Sequence, residues 1–313
     1  MPRFIFYTDL HLWDKAPVNR VDDYGECVQN KLQDVYNFAA KWDVDAVLFG
    51  GDFCNRPRLF DYTMITNAAR TVNGCFSGDR QISTYAIIGQ HDLVGYRVEN
   101  YDQSTLHFVE AFSSAWHTIT TPIKFGDVTV HPAHVNKDPR TVKPTGQGIN
   151  VLISHWLLHP DANVPFSTTP ISEMVDKGWD LVLSGDLHNG FDPIMIGKTT
   201  FANPGAIARR EIGDCRTIRC FLVEIDKGIH VSSLILPSQK SPDEIWRDQT
   251  VTSFLSDTKE DARSNIGDGY NGRFVDSLQQ FAVERQDVWS QIEDAAKPVL
   301  SESAFSYLMS VKK

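Results

Sequence analysis

The stretch Phe4-Ile5-Phe6-Tyr7-Thr8-Asp9-Leu10-His11 decides how this chain is read. Four apolar and aromatic residues predict a buried strand. The run stops on a carboxylate and an imidazole two residues apart. If strand geometry persists, Asp9 and His11 point to one side, and a hard oxygen donor meets a nitrogen donor where the strand ends. Taken alone, a polar pair there is an ordinary cap or turn. Four further runs end in the same way: Val47-Leu48-Phe49-Gly50-Gly51-Asp52, Tyr85-Ala86-Ile87-Ile88-Gly89-Gln90-His91-Asp92, Val151-Leu152-Ile153-Ser154-His155, and Leu181-Val182-Leu183-Ser184-Gly185-Asp186-Leu187-His188. In layered α/β proteins the carboxyl ends of the strands are where ligands sit.

In that order the motifs Asp-x-His, Gly-Asp, Gly-Asn-His-Asp, His and Gly-His-x-His resemble the signature of calcineurin-like metallophosphoesterases. The resemblance covers about residues 1 to 236, and two letters depart from it. Gln90 stands where that family has Asn, and Asp186 stands where it has His. The resemblance implies a four-layer α-β-β-α sandwich, two sheets face to face and flanked by helices, with two divalent metal ions at the strand ends. It implies that Asp9, His11, Asp52 and His188 hold the first metal, and that Gln90, Asp52, His155 and Asp186 hold the second, with Asp52 bridging. His91 is then the catalytic group that meets the phosphate and protonates the leaving oxygen, and Asp92 orients its ring. Both departures fall on the second metal. Gln keeps an amide oxygen but adds a methylene, and Asp replaces a nitrogen by an anionic oxygen. That harder site favours Mn²⁺, with Mg²⁺ next, over softer ions. A decayed site with one metal or none is the competing reading, opposed by the presence of Asp9, His11, Asp52, His91, His155 and His188.

The bulk numbers agree with a large enzyme domain plus an appendage: 313 residues, 42% hydrophobic and 22% charged. Met1-Pro2-Arg3 leads into a four-residue apolar patch and no secretory signal follows. No apolar run approaches the ~18 residues of a membrane span. Five scattered cysteines without a CxxC pair fit reduced thiols and a cytoplasmic setting. Cys54, close to Asp52, reads as a small buried hydrophobe. A net charge of −10 argues against a strongly basic nucleic-acid surface. It leaves a nuclease open, because bound cations reverse the local field.

Along the chain, Val28, Leu32, Val35, Phe38, Ala39 and Trp42 predict a helix with a core-facing stripe, and residues 58–73 another with Phe60, Met64, Ala68 and Val72 on one face. Helices are also predicted near 104–113 and over 171–178, and Asp226-Lys227-Gly228 reads as a hairpin turn. His107, His117, His131, His159 and His230 read as ordinary residues, and His134 as ambiguous. From residue 241 the composition changes. Ser241-Pro242-Asp243-Glu244 predicts a helix start, dividing a phosphoesterase domain at 1–240 from a helical region at 241–313.

Asn203-Pro204-Gly205-Ala206-Ile207-Ala208-Arg209 most resembles the exonuclease branch, the nuclease subunit of SbcCD-type complexes. That shorter resemblance implies a DNA substrate and an SMC-type ATPase partner; residues 241–313 either pack on the enzyme domain, the simpler reading, or dock on such a partner, and a homodimer is a separate expectation. Arg56, Arg58, Arg97, Lys137, Arg140, Lys143, Arg209 and Arg210 are then the candidate phosphate contacts, and such contacts are salt-sensitive. A nucleotide phosphodiesterase or phosphatase, and a non-hydrolytic scaffold, are the alternatives, because a shared fold and metal core do not fix the substrate.

Overall fold

The computed structural model describes residues 1–17, 20–160, 168–210 and 216–246. Two six-stranded mixed sheets make up the core. The first has the order Ile229–Ile235, Arg219–Ile225, Arg3–Tyr7, Ala46–Phe49, Ser83–Ala86, Trp116–Thr118. The second has the order Phe191–Ile196, Thr199–Asn203, Leu181–Ser184, Ile149–Ser154, Val128–Ala133, Ile123–Phe125. Strands 3–7, 46–49 and 83–86 run parallel, as do strands 128–133, 149–154 and 181–184. Their carboxyl ends therefore leave each sheet at one edge.

The twofold repeat of a strand explains how both faces of the central strands are buried. Phe4 and Phe6 pack between the sheets with Ala46, Leu48, Val151, Ile153, Leu181 and Leu183. Ile5, Tyr7, Val47 and Phe49 face the opposite way and meet the helices. Each fully buried large apolar side chain contributes about 1.5–3 kcal/mol, so the uninterrupted apolar runs are what parallel strands covered on both sides require.

The helix Tyr24–Lys41 begins where the Asp23 carboxylate accepts from the Glu26 N–H at 2.9 Å. Its stripe of Val28, Leu32, Val35 and Ala39 is buried, whereas Trp42 falls on the C-cap and is exposed. The second helix is Tyr62–Asn73, shorter than the predicted 58–73. Asp61 caps it by accepting from the Met64 N–H, so Phe60 lies before the helix and is 73% exposed. Thr105–Phe112 forms as expected near 104–113.

The helix expected over 171–178 is only a 3-10 turn at Ile171–Met174. Left-handed Asp176 and Gly178 stop it, and Ile171 and Met174 suffice to cover the outer face of the second sheet beside Leu158 and Trp179. Ser241 and Glu244 form the expected capping box on the short helix Pro242–Ile245. The buried Ile245 then accepts from the Val21 N–H. Beyond Trp246 the helical region expected to 313 lies outside the described residues.

The described residues thus form an α/β sandwich of two mixed sheets flanked by helices.

Candidate metal centre

The first strand ends at Tyr7, before Asp9. Strand alternation is therefore not what aims Asp9 and His11 at one point. Both are left-handed, with φ of 53° and 47°, and so are Asp52 at 58° and Asp186 at 69°. Asp, Asn and His enter this region more readily than other side chains, at a cost of order 1–3 kcal/mol each that functional sites characteristically bear. The turns are locked to one another by main-chain hydrogen bonds. Asp9 N–H donates to Gly51 O and His11 N–H to Asp52 O, both at 3.0 Å. Close approach also requires glycine: a Cβ on Gly51 would lie 2.5 Å from His155 Nδ1, and one on Gly89 would lie 2.1 Å from Asp52 Oδ1.

These loops deliver a set of donors with one free atom each. Asp9 Oδ2 accepts from Thr8 Oγ1 at 2.6 Å and from the Asp186 N–H at 3.1 Å. Asp52 Oδ1 accepts from the His91 N–H at 2.8 Å. His155 Nδ1 lies 2.7 Å from Gly50 O, so this nitrogen carries the proton and donates it. What remains is Asp9 Oδ1, Asp52 Oδ2, Gln90 Oε1 and His155 Nε2, all buried without a hydrogen-bond partner. Buried polar atoms ordinarily have partners, and an oxygen-rich set with imidazole is the kind that divalent cations bind.

The spacing agrees. His155 Nε2 is 3.4 Å and His11 Nε2 3.8 Å from Asp52 Oδ2. Asp9 Oδ1 is 3.7 Å from His11 Nε2 and 3.6 Å from His188 Nε2. Three groups have their donor atoms within 4.8 Å of one another: Asp9–His11–His188, His11–Asp52–His91 and Asp9–Asp52–His155. The first and third give two neighbouring cation positions, with Asp52 between His11 and His155. Among the described residues Asp186 belongs to none of these groups. It accepts from Gln90 Nε2 at 2.7 Å instead.

The charges in the site oppose one another strongly. Burial alone would raise the Asp9 carboxyl, but His11, His155 and His188 hold it well below the usual carboxylate range. Burial likewise acts to raise Asp52, and His155 lowers it. Burial pushes His11 down to about 4 against the pull of Asp9 and Asp52. His155 goes the other way, raised by Asp52, Asp9 and Asp186 in spite of its burial.

The expected role of Asp92 is corrected. Its carboxylate does not touch the His91 ring. It accepts from the N–H groups of Asp52, Phe53, Cys54 and Gly89 at 2.9–3.2 Å and so fixes the loop that carries Asp52. Burial and the Asp52 charge push Asp92 up to about 7 against those donors. The group that orients His91 is the Asn55 carbonyl, 2.8 Å from Nδ1. No side-chain pattern could mark Asn55, because its main chain does the work. Thr8 was also missed, although it sits inside the opening motif.

The Asn203-Pro204-Gly205 segment supports the last motif. Asn203 Nδ2 donates to Gly185 O and the Ala206 N–H to His188 O. Cys54 is buried in the core, its thiol pushed far up by that burial. Of the candidate phosphate contacts, Arg210 reaches the centre, with Nη1 3.3 Å from His11 Nδ1. Arg209 is 3% exposed and donates to the carbonyls of Lys240 and Arg216. Arg140 is paired with Asp138 and Glu173, Arg58 with Gln103, and Arg56 stacks over Trp13.

A family model described as calcineurin-like phosphoesterase matches residues 2–190. The chain belongs to that family. Among solved structures it is similar to a dimetal phosphatase from Danio rerio, at 11% identity over 75% of this chain and 99% of that one, with a TM-score of 0.47. A phosphoesterase from E. coli matches at 11% identity over 76% and 96%, TM-score 0.39. A purple acid phosphatase from yellow lupin matches at 12% over 77% and 52%, TM-score 0.48. No curated protein matches the chain.

No helix among the described residues is long and apolar enough to cross a membrane.

Proposed function

We propose that this phosphoesterase hydrolyses small phosphate esters, nucleotide phosphodiesters or monoesters, with two divalent cations, Mn²⁺ foremost. The observation that carries the reading is the convergence, within 4.8 Å, of the unpartnered buried donors Asp9 Oδ1, Asp52 Oδ2 and His155 Nε2, with the unpartnered Gln90 Oε1 as a further buried donor. Bound there by Asp9, His11, Asp52, Gln90, His155 and His188, with Asp186 at the rim, the cations would supply charge neutralisation and a nucleophile at neutral pH. The chain's own groups do the rest. Arg210 offers its guanidinium to a phosphoryl oxygen. His91, its Nδ1–H held by the Asn55 carbonyl, presents Nε2 to the ester oxygen and, when protonated, gives it the departing proton.

A small substrate is supported by how the other cations are used. Arg209, Arg140 and Arg58 are engaged within the protein, and Arg210 stands at the centre itself, 3.3 Å from His11 Nδ1, as the phosphate anchor nearest the metal ligands. A DNA nuclease is the second reading. The Asn203–Arg209 stretch supports it, and DNA ends, an SMC-type ATPase partner and a homodimer belong with it.

The test is Mn²⁺-dependent hydrolysis of bis(p-nitrophenyl) phosphate, nucleotide esters, and single- and double-stranded DNA, run beside Asp52→Asn. Turnover of the small esters by the wild type alone supports the proposal. A kcat/KM for DNA above that for the nucleotides moves the assignment to the nuclease. No turnover of any ester by protein loaded with metal favours the scaffold.

A further inference from the structure

The two residues that depart from the family pattern touch each other. Gln90 Nε2 donates to Asp186 Oδ1 at 2.7 Å. A carboxylate only accepts, so this contact fixes which end of the Gln90 amide faces it. The amide oxygen must then face the other way, and Gln90 Oε1 is buried with no partner. The backbone holds Asp186 in place as well: its N–H donates to Asp9 Oδ2 at 3.1 Å, and its φ is 69°. Its carboxylate stands at the rim, 23% exposed, with Oδ1 4.0 Å from His155 Nε2. Asp52 Oδ2 is nearer, at 3.4 Å from the same nitrogen. The carboxylate in the place of the family's histidine is thus partly occupied by the amide in the place of its asparagine.

We infer that Gln90 and Asp186 act as one unit at the second cation position. Gln90 Oε1 is the donor, with Asp52 Oδ2 and His155 Nε2, and Asp186 is a positioning residue that aims it. The unit offers two oxygens and one nitrogen, a harder set than one built on a second imidazole. It would take Mn²⁺ or Mg²⁺ in preference to softer ions. This inference rests on the two-cation reading above. It differs from the reading of Asp186 as a direct ligand in one respect: what matters at position 186 is an acceptor for the amide, not a negative charge on the metal.

The experiment is Mn²⁺ binding to the full chain by equilibrium dialysis, with electron paramagnetic resonance to detect the coupled signal of two adjacent Mn²⁺ ions. Wild type, Asp186→Asn, Asp186→Ala and Gln90→Leu are compared. Asn keeps a carbonyl oxygen as acceptor for Gln90, and Ala keeps none. The expected result is two Mn²⁺ and a coupled signal in wild type and in Asp186→Asn, with the weaker site's Kd raised less than about threefold in the latter. Asp186→Ala and Gln90→Leu should each weaken that site by about tenfold or more, the usual effect of losing a group that orients a ligand, and keep the first Mn²⁺. Loss of the second ion in Asp186→Asn to the same extent as in Asp186→Ala would overturn the inference and leave Asp186 as a direct ligand. Retention of both ions in Asp186→Ala would overturn it too. Fewer than two ions in the wild type would instead remove the two-cation reading on which it rests. If Asp186→Ala does not fold, Asp186→Asn against Gln90→Leu decides.

Discussion

The two halves of the candidate centre are built differently. Asp9, His11, Asp52 and His155 are fully buried, three of them on left-handed backbone, with neighbouring loops bonded main chain to main chain. Asp186 and His188 stand at the rim, with side chains 23% and 33% exposed. The departures from the family pattern lie at or beside this rim. In the buried half a changed side chain would leave a strained, desolvated loop without its partner. At the rim, an altered pair can settle on its own hydrogen bond. The buried half thus sets the reaction class, and the rim tunes it.

The sharpest way to break this contrast is to strike the buried half. Asp52→Asn removes the charge that lies between His11 and His155, 3.8 and 3.4 Å from their Nε2 atoms. Several kcal/mol of transition-state stabilisation should go with it, so kcat on bis(p-nitrophenyl) phosphate should fall by about a thousandfold or more. A drop of less than tenfold would mean that the two positions do not share Asp52.

His91→Ala should lower kcat by about a hundredfold or more on esters with poor leaving groups, the usual range for a general acid, and far less with p-nitrophenolate, which needs no proton. Equal losses on both would show that His91 binds rather than donates.

Arg210 and Arg209 are neighbours with opposite expected phenotypes. Arg210→Ala should raise KM about tenfold, the order of one charge-assisted contact of 1.5–3 kcal/mol partly replaced by water, with little change in melting temperature. Arg209→Ala removes its hydrogen bonds to the carbonyls of Lys240 and Arg216, each worth about 0.5–1.5 kcal/mol. It should lower the melting temperature by several degrees while KM stays near that of the wild type. Steady-state kinetics and thermal melts on both variants would expose an exchange of these roles.

The smallest effect is one of pH. Burial, with Lys137 second, pushes His134 down from 6.5 to about 4, and its Nδ1 accepts from the Ile88 N–H. The unfolded chain therefore binds the extra proton first. Stability from this group is fully present above about pH 6.5, is lost as pH falls toward 4, and changes little below that. Melts of metal-free protein at pH 7 and pH 5 should differ less in His134→Gln than in the wild type.

Much of this was legible in the sequence because the same physics writes both. A parallel strand buried on both faces must be a continuous apolar run, and the donors must follow its carboxyl end, so the five motifs and the sandwich could be read together. The reason Asp9 and His11 converge could not be, since Asp and His only favour left-handed φ and adopt it at few of their positions. Asp92 and His91 are adjacent in sequence, but one caps a loop through main-chain donors and the other leans on the Asn55 carbonyl. Phe60 looked like part of a helical stripe until the Asp61 cap excluded it. The Gln90–Asp186 contact spans 96 positions, and each letter alone reads only as an altered ligand.

The central claim is that turnover requires two cations held by these donors. It is tested most directly by titrating Mn²⁺ into chelator-treated protein while following bis(p-nitrophenyl) phosphate hydrolysis. The account predicts no activity without metal and full activity only as the second equivalent binds. Hydrolysis in the presence of excess chelator, or full activity at one equivalent, would contradict it.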